Sequence, residues 1–268
     1  MTPKRYWREM PSGAFGDAAR DWIAVLPLAA TEQHGPHLPV GVDSIIAEGM
    51  IAASINTLPD DAPVTFLPLQ EICKSNEHID FAGTLTLGWQ TVINGWIEIG
   101  DSVARAGLRT LIIVTSHGGN TAPIEIVARE LRQRHGMQVI TTSWGRLGRW
   151  EEIYAYQEPI IDIHAGLSET SVMLALRPDL VDLSRAEDFA STQSDLASPT
   201  RKLGYHGAAA NIAWLAQDLN SKGAVGDAAS ASAQAGAKEI LSIAEGFCVL
   251  IKDIQAHLQN KNDLDHNS

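Results

Sequence analysis

Cysteine is scarce in this chain. Its two copies, Cys73 and Cys248, form no C-x-x-C and have no histidine at ligand spacing. A disulfide framework and a thiolate metal site are thereby excluded, and both are expected to be reduced structural thiols. Basic charge is also short: 20 Lys and Arg stand against 32 Asp and Glu, a net charge of −12, with no Lys/Arg cluster. That balance argues against nucleic acid or an anionic membrane as partner, because either requires a basic patch to displace counterions. No run approaches 18 uninterrupted apolar residues, and the opening segment MTPKRYWREMPSGAFGD has no apolar stretch of the signal-peptide kind. A soluble, cytoplasmic protein is the expectation. No repeat or linker divides the 268 residues, and 45 % hydrophobic with 19 % charged residues suits one globule with a full core. A single domain over 1–259 is expected, followed by a polar, frayed tail at 260–268.

What the chain does have is alternation. The runs 22–28, 64–67, 110–115 and 138–142 are short and apolar or β-branched, the pattern of parallel strands covered on both faces. Between them apolar residues recur at helical spacing: Trp89, Val92, Ile93, Trp96 and Ile99 end near Gly107, and Ile124, Val127, Ala128 and Leu131 end before Gly136. A last helix is carried by Ile240, Ile243, Ala244, Phe247, Leu250, Ile251 and Ile254. The expected fold class is α/β: a three-layer α/β/α domain with a mostly parallel central sheet. The polar stretch 184–208 reads as a loop or lid over the site.

Chemistry-bearing residues cluster just after the strands. Glu32 and His34 follow the first, the segment 75–84 the second, His117 the third and Ser143-Trp144 the fourth. In open α/β sheets the site lies beyond the carboxyl ends of the strands, so these loops share one edge. Glu32 and His34 are two apart and leave an extended backbone on the same face. Asp43 opens a helix, where its bland role is to cap free amides. His37 has no partner at that spacing and reads as an outer residue of the site or as plain loop. In His117-Gly118-Gly119-Asn120 the glycines admit close backbone approach, for an ion, an anion or a tight turn; neither a P-loop nor G-x-G-x-x-G is present. His164 precedes a helix whose first turn holds Glu169. Imidazole and carboxylate without thiolate is a donor mix suited to Zn, Mn or Fe(II), and several carboxylates offer one that bridges two ions. The pattern points to a divalent-metal hydrolase.

The motifs E-Q-H-G-P-H-L-P with Asp43, S-N-E-H-I-D-F-A-G-T, H-G-G-N, H-A-G-x-x-E-T-S and Gly223-Ala224-Val225-Gly226-Asp227, in that order over roughly residues 20–245, resemble the creatininase (creatinine amidohydrolase) family. The resemblance implies a creatininase-like three-layer fold, two divalent metal ions per chain (Zn, Mn or Fe), a homohexamer, and hydrolysis of a cyclic amide or related C–N bond other than a peptide bond. Glu32, His34, Asp43 and His117 match the family's metal ligands, with Asp43 as the bridge. Glu169 is taken as the remaining ligand, and His164 matches the proposed proton shuttle. Ser75, Glu77, His78, Gly118 and Trp144 are the expected contacts of a small-molecule substrate; for Trp144 the bland alternative is core packing. Two departures argue against creatinine itself. Creatinine-hydrolysing members carry Tyr and a ligating Glu where this chain has Gly118 and Gly119, and a ring-enclosing tryptophan where it has Ile160. Other readings are hydrolysis of a cyclitol ring ketone, deformylation of an opened pyrimidine ring, trimming of a small peptide, and a binding protein without turnover.

Overall fold

The computed structural model describes residues 2–154, 162–196, 201–206 and 208–266, so Ile160 lies outside the described residues. The chain runs β1 (Ile23–Leu28), α1 (Val42–Thr57), β2 (Val64–Phe66), α2 (Trp89–Arg105), β3 (Thr110–Thr115), α3 (Thr121–His135), β4 (Gln138–Ser143) and α4 (Trp150–Ile153). It continues through α5 (Leu167–Leu176), β5 (Asp188–Phe189), β6 (Leu203–Gly204), β7 (Ala210–Asn211), α6 (Ala216–Leu219), β8 (Gly226–Asp227) and α7 (Ala233–His266). The four long apolar runs are the four strands of one parallel sheet, in the order β2-β1-β3-β4.

Alternation along each strand sorts the core into two layers. Ile23, Val25, Ile112 and Val114 join Val42, Ile46 and Met50 of α1, Val172 and Met173 of α5, and Phe247 and Ile251 of α7. Ala24, Leu26, Leu28, Leu111 and Ile113 face the other way, onto Val92, Trp96 and Val103 of α2 and Ile124, Val127 and Leu131 of α3. Because both faces are covered, β1 and β3 are buried at every position. That is why they read as continuous apolar runs. The architecture is the expected α/β sheet between helical layers.

Strand order decides where a site can form. From β1 the chain crosses to β2 on one side, and then to β3 on the other, so the order reverses between β1 and β3. A crevice opens at such a switch point, beyond the carboxyl ends. Leu28 and Thr115, the last residues of these strands, are paired in register, so the loops carrying Glu32–His34 and His117 start side by side.

Two expectations change. Helix α7 continues to His266, so most of the segment expected to fray extends the helix; nothing in it breaks the i→i+4 ladder, since it has neither Pro nor Gly. The polar stretch 184–208 is not featureless where it is described. It holds short turns at Leu183–Arg185 and Thr192–Leu196, and β5 pairs antiparallel with β8. Among the described residues no helix is long and apolar enough to cross a membrane.

Candidate metal centre

The β1 loop turns sharply at Gly35, whose φ of +68° suits glycine, and returns into α1. This brings Glu32 and His34 over the first turn of α1, where Asp43 sits. Asp43 is not the cap: Gly41 holds that place and no side chain caps the helix. His117 enters from β3, and Glu169 from the first turn of α5. His34 Nε2 stands 3.9 Å from Asp43 Oδ2 and 3.8 Å from Glu169 Oε2. His117 Nδ1 stands 3.2 Å from Glu32 Oε1 and 3.8 Å from the same Asp43 Oδ2. All five sequence-predicted ligands therefore converge, with one oxygen of Asp43 common to both halves.

A metal fits this arrangement on two counts. Neighbouring donors around one ion, with bonds of about 2.0–2.2 Å, stand about 3–3.5 Å apart, and the spacings above lie at or slightly beyond that. Furthermore, Glu32 Oε1, His34 Nε2 and Asp43 Oδ2 are buried without any hydrogen-bond partner. Orphaned buried polar atoms cost free energy, and these three face one another. His34, Asp43 and Glu169 form one potential ligand set, and Glu32, Glu77 and His117 another.

Charge bears this out. Burial, reinforced by the neighbouring Glu32 carboxylate, holds the Asp43 carboxyl well above its usual range. For Glu32 burial acts upward too, but His117, His164 and His78 around it pull its carboxyl below the ordinary range. Burial, then the nearby His164, brings the His34 imidazole down to about 4, so Nε2 offers a lone pair at neutral pH. Burial would lower His117 as well, yet Glu32 beside it drives the ring well above its usual value. Crowding by Glu32, Glu169 and Glu77 is among the causes of the raised Asp43 value, and a bound cation would relieve it.

The expected substrate contacts divide. Ser75 is buried and its hydroxyl donates to Glu32 Oε2 at 2.5 Å, which orients the carboxylate and leaves Oε1 for the centre. His78 is buried as well. Its Nδ1 accepts from Gln33 Nε2 at 2.7 Å, its Nε2 faces Glu32 Oε1 at 3.4 Å, and its ring stacks on His164 at 4.2 Å. Both lie against Glu32. Glu77 lies against His117, with Oε1 3.1 Å from Nε2. Gly118 is exposed, with nothing within 4 Å of the place a Cβ would take.

Trp144 is buried. It is 1 % exposed and packs on Phe247 with ring centroids 5.5 Å apart, inside the core that α1, α5 and α7 build on the sheet. Its apolar area contributes more in the core than at a wet rim. Trp144→Ala is expected to cost about 3–5 kcal/mol of stability, whereas Trp144→Phe should leave KM unchanged; calorimetry and steady-state kinetics read the two.

His164 lies beside Glu32 and His34. Its Nε2 donates to the Gln33 carbonyl at 2.7 Å, which leaves the Nδ1 lone pair turned to Glu32 Oε1 at 3.5 Å. An antiparallel bridge to Val225 pins the residue. Gln33 is the residue sequence reasoning passed over. Its amide also donates to the Gly223 carbonyl at 2.8 Å, tying the first motif to the last. The available signal was a buried amide wedged between two ligands. His37 lies outside the cluster; its Nε2 meets Thr170 Oγ1 at 2.9 Å and its ring stacks on Phe189, so it braces the turn that carries Glu169. Both cysteines are free, and burial pushes the Cys73 thiol up to about 12.

A cavity of about 320 Å³ opens beside His34, lined by Pro36, Leu38, Val40, Phe81 and Lys222 among others. A larger one, about 500 Å³ and lined by Arg20 and Arg109, lies at the amino ends of the strands and holds none of the motif residues.

Comparison with known proteins agrees with this geometry. The model of the creatininase family, described as creatinine amidohydrolase, matches residues 8–251. The mycofactocin precursor peptide peptidase of Mycolicibacterium smegmatis is 28 % identical over 86 % of this chain and 84 % of its own. The creatinine amidohydrolase of Pseudomonas putida is 32 % identical over 68 % of this chain and 74 % of its own. A solved structure described as "Creatininase Mn" is 25 % identical, covers 94 % of this chain and 98 % of that one, and superposes with a TM-score of 0.73. Matched along nearly its whole length, and with the acids and imidazoles of its motifs gathered at the switch point of the sheet, the chain belongs to the creatininase family of metal-dependent hydrolases.

Proposed function

We propose that this chain hydrolyses an amide C–N bond of a small substrate at a two-metal centre formed by Glu32, His34, Asp43, His117 and Glu169. The observation that carries the reading is the trio of orphaned, mutually facing buried atoms, Glu32 Oε1, His34 Nε2 and Asp43 Oδ2. Zn, Mn and Fe(II) all suit these donors, and Mn is named with the solved relative. Two bound ions lower the pKa of water toward neutrality and polarise a carbonyl oxygen.

The chain's own residues supply the rest. Ser75 and His78 hold Glu32, and Gln33 holds His164 with Nδ1 toward the centre. His164 Nδ1 takes a proton and passes it to the leaving nitrogen, the step that makes an amine a viable leaving group. Gly118 leaves the mouth open, and the apolar wall of Pro36, Leu38, Val40 and Phe81 receives the substrate.

The primary substrate class is a cyclic amide other than creatinine. Peptide trimming is the second reading, and two observations favour it: Trp144 is buried against Phe247, and the mycofactocin precursor peptide peptidase is similar over 86 % of the chain. Single-domain organisation over 1–259 and the homohexamer of the resemblance belong to the same proposal. Ile72, Ile79, Leu85, Leu87 and Trp89, exposed along one segment, suit burial between copies.

Purified protein is expected to hold close to two divalent ions per chain and to lose all turnover to a chelator, with recovery on adding metal back. Elemental analysis together with a mass-spectrometric screen of cyclic amides, hydantoin-like rings, cyclitol ketones and short peptides tests this. Full activity in metal-free protein would sink the proposal, and cleavage of peptides alone would select the second reading.

A further inference from the structure

Glu77 is grouped with Glu32 and His117 as a potential ligand set, yet its carboxylate meets the far side of the His117 ring. Its Oε1 lies 3.1 Å from His117 Nε2, while the other ring nitrogen, Nδ1, faces Glu32 and Asp43. Carboxylate and centre therefore stand on opposite sides of one imidazole. The Lys74 carbonyl also accepts from Nε2 at 2.9 Å, so Nε2 is held as a donor and Nδ1 is the nitrogen turned to the centre.

The H-G-G-N turn is shaped around this contact. A Cβ at Gly119 would run into Glu77 Oε1, His117 Nε2 and the Lys74 carbonyl at once. Glycine at 119 thus leaves vacant the volume that the Glu77 carboxylate fills. The neighbouring Asn120 fixes the same segment. Its Oδ1 accepts from Lys74 N at 3.1 Å, and its Nδ2 donates to the Ala29 carbonyl at 2.9 Å, behind the β1 loop. Gly119 makes the space, and Asn120 holds the chain that delivers Glu77 into it.

We infer that Glu77 is a positioning residue for His117: across the imidazole it fixes the Nε2–H tautomer and raises the basicity of Nδ1 as a metal donor, and Gly119 is there to admit it. A carboxylate behind a ligating histidine does this in general, and its loss lowers metal affinity about 10- to 100-fold. The inference rests on the two-metal reading above and deepens it.

The test titrates chelator-stripped full-length protein with Zn²⁺ against a competing chelator, and with Co²⁺ followed by its visible absorption. Wild type is expected to bind two ions. Glu77→Gln keeps the volume and removes the charge; it should weaken one ion about 10- to 100-fold, alter the Co²⁺ spectrum of that site and leave the other ion within about 3-fold. The unaffected ion reports that the fold is intact. Glu77→Ala, which removes the carboxylate without touching His117, should weaken the same ion, and serves if Glu77→Gln does not accumulate as folded protein. Two unchanged affinities with a raised KM would overturn the inference and make Glu77 a substrate contact. Equal weakening of both ions would overturn it in favour of a general packing role. A wild type that binds no ion would overturn the two-metal reading itself, so the two failures are distinguishable.

Discussion

Asp43→Asn is expected to empty the centre and abolish turnover while the chain stays folded. Asp43 Oδ2 lies within 4 Å of both His34 Nε2 and His117 Nδ1. Removing its charge should cost more than the roughly 10- to 100-fold in affinity that an outer carboxylate is worth. Asparagine has the same size, so the helix start is undisturbed. A second readout follows from electrostatics. Burial and Glu32 raise the Asp43 carboxyl well above its usual 3.8, so the folded chain holds that proton more tightly than the unfolded chain. The corresponding stability is complete below about 3.8 and is lost as pH rises through the folded value. At neutral pH, chelated wild type therefore carries a penalty that Asp43→Asn lacks, and the variant should melt at the same temperature or higher. With metal present the order should reverse, because binding stabilises only the protein that binds. Differential scanning calorimetry with and without metal reads both signs. An active, metal-replete variant would reduce Asp43 to an ordinary residue of a helix start.

His164→Ala separates proton transfer from metal binding. The expected result is two retained ions with kcat lower by about 10²- to 10⁴-fold, the usual contribution of a general acid–base group. Its geometry permits another role, since Nδ1 lies within ligating reach of Glu32 and His34. Loss of an ion in the variant would therefore reassign His164 as a ligand. Metal content and kcat must be taken on the same preparation, with the substrate that the screen yields. Retained metal with near-normal kcat would refute both roles and leave the Val225 bridge as the reason for the residue.

Much of the fold was legible because its signals are local. Strands covered on both faces are apolar throughout, and the runs at 22–28 and 110–115 differ from β1 and β3 by at most one residue. Helix α3 stops where Gly136 takes a left-handed φ of +63°, which the sequence marks with glycine. The clustering of the candidate metal donors was legible for a related reason. Glu32, His34, His117 and Glu169 sit within a few residues of strand ends or helix starts, and topology carries all such positions to one edge.

Other features depend on contacts distant in sequence. A tryptophan after a strand has the same local appearance whether it rims a pocket or packs on Phe247, about a hundred residues later. The hydroxyl of Ser75 reads as a substrate contact until Glu32 is found 2.5 Å away. Gln33 is silent in the sequence because its partners His78, His164 and Gly223 come from three later segments.

From residue order alone, then, this chain determines its sheet, its family and the chemistry of its donors, since periodicity and motif spacing are properties of short stretches. Only the tertiary structure decided which side of each imidazole faces the cluster, that one oxygen of Asp43 stands near both His34 and His117, and that a Cβ at Gly119 would run into Glu77. Those facts are distances between side chains on separate loops, and they exist only once packing has brought the loops together.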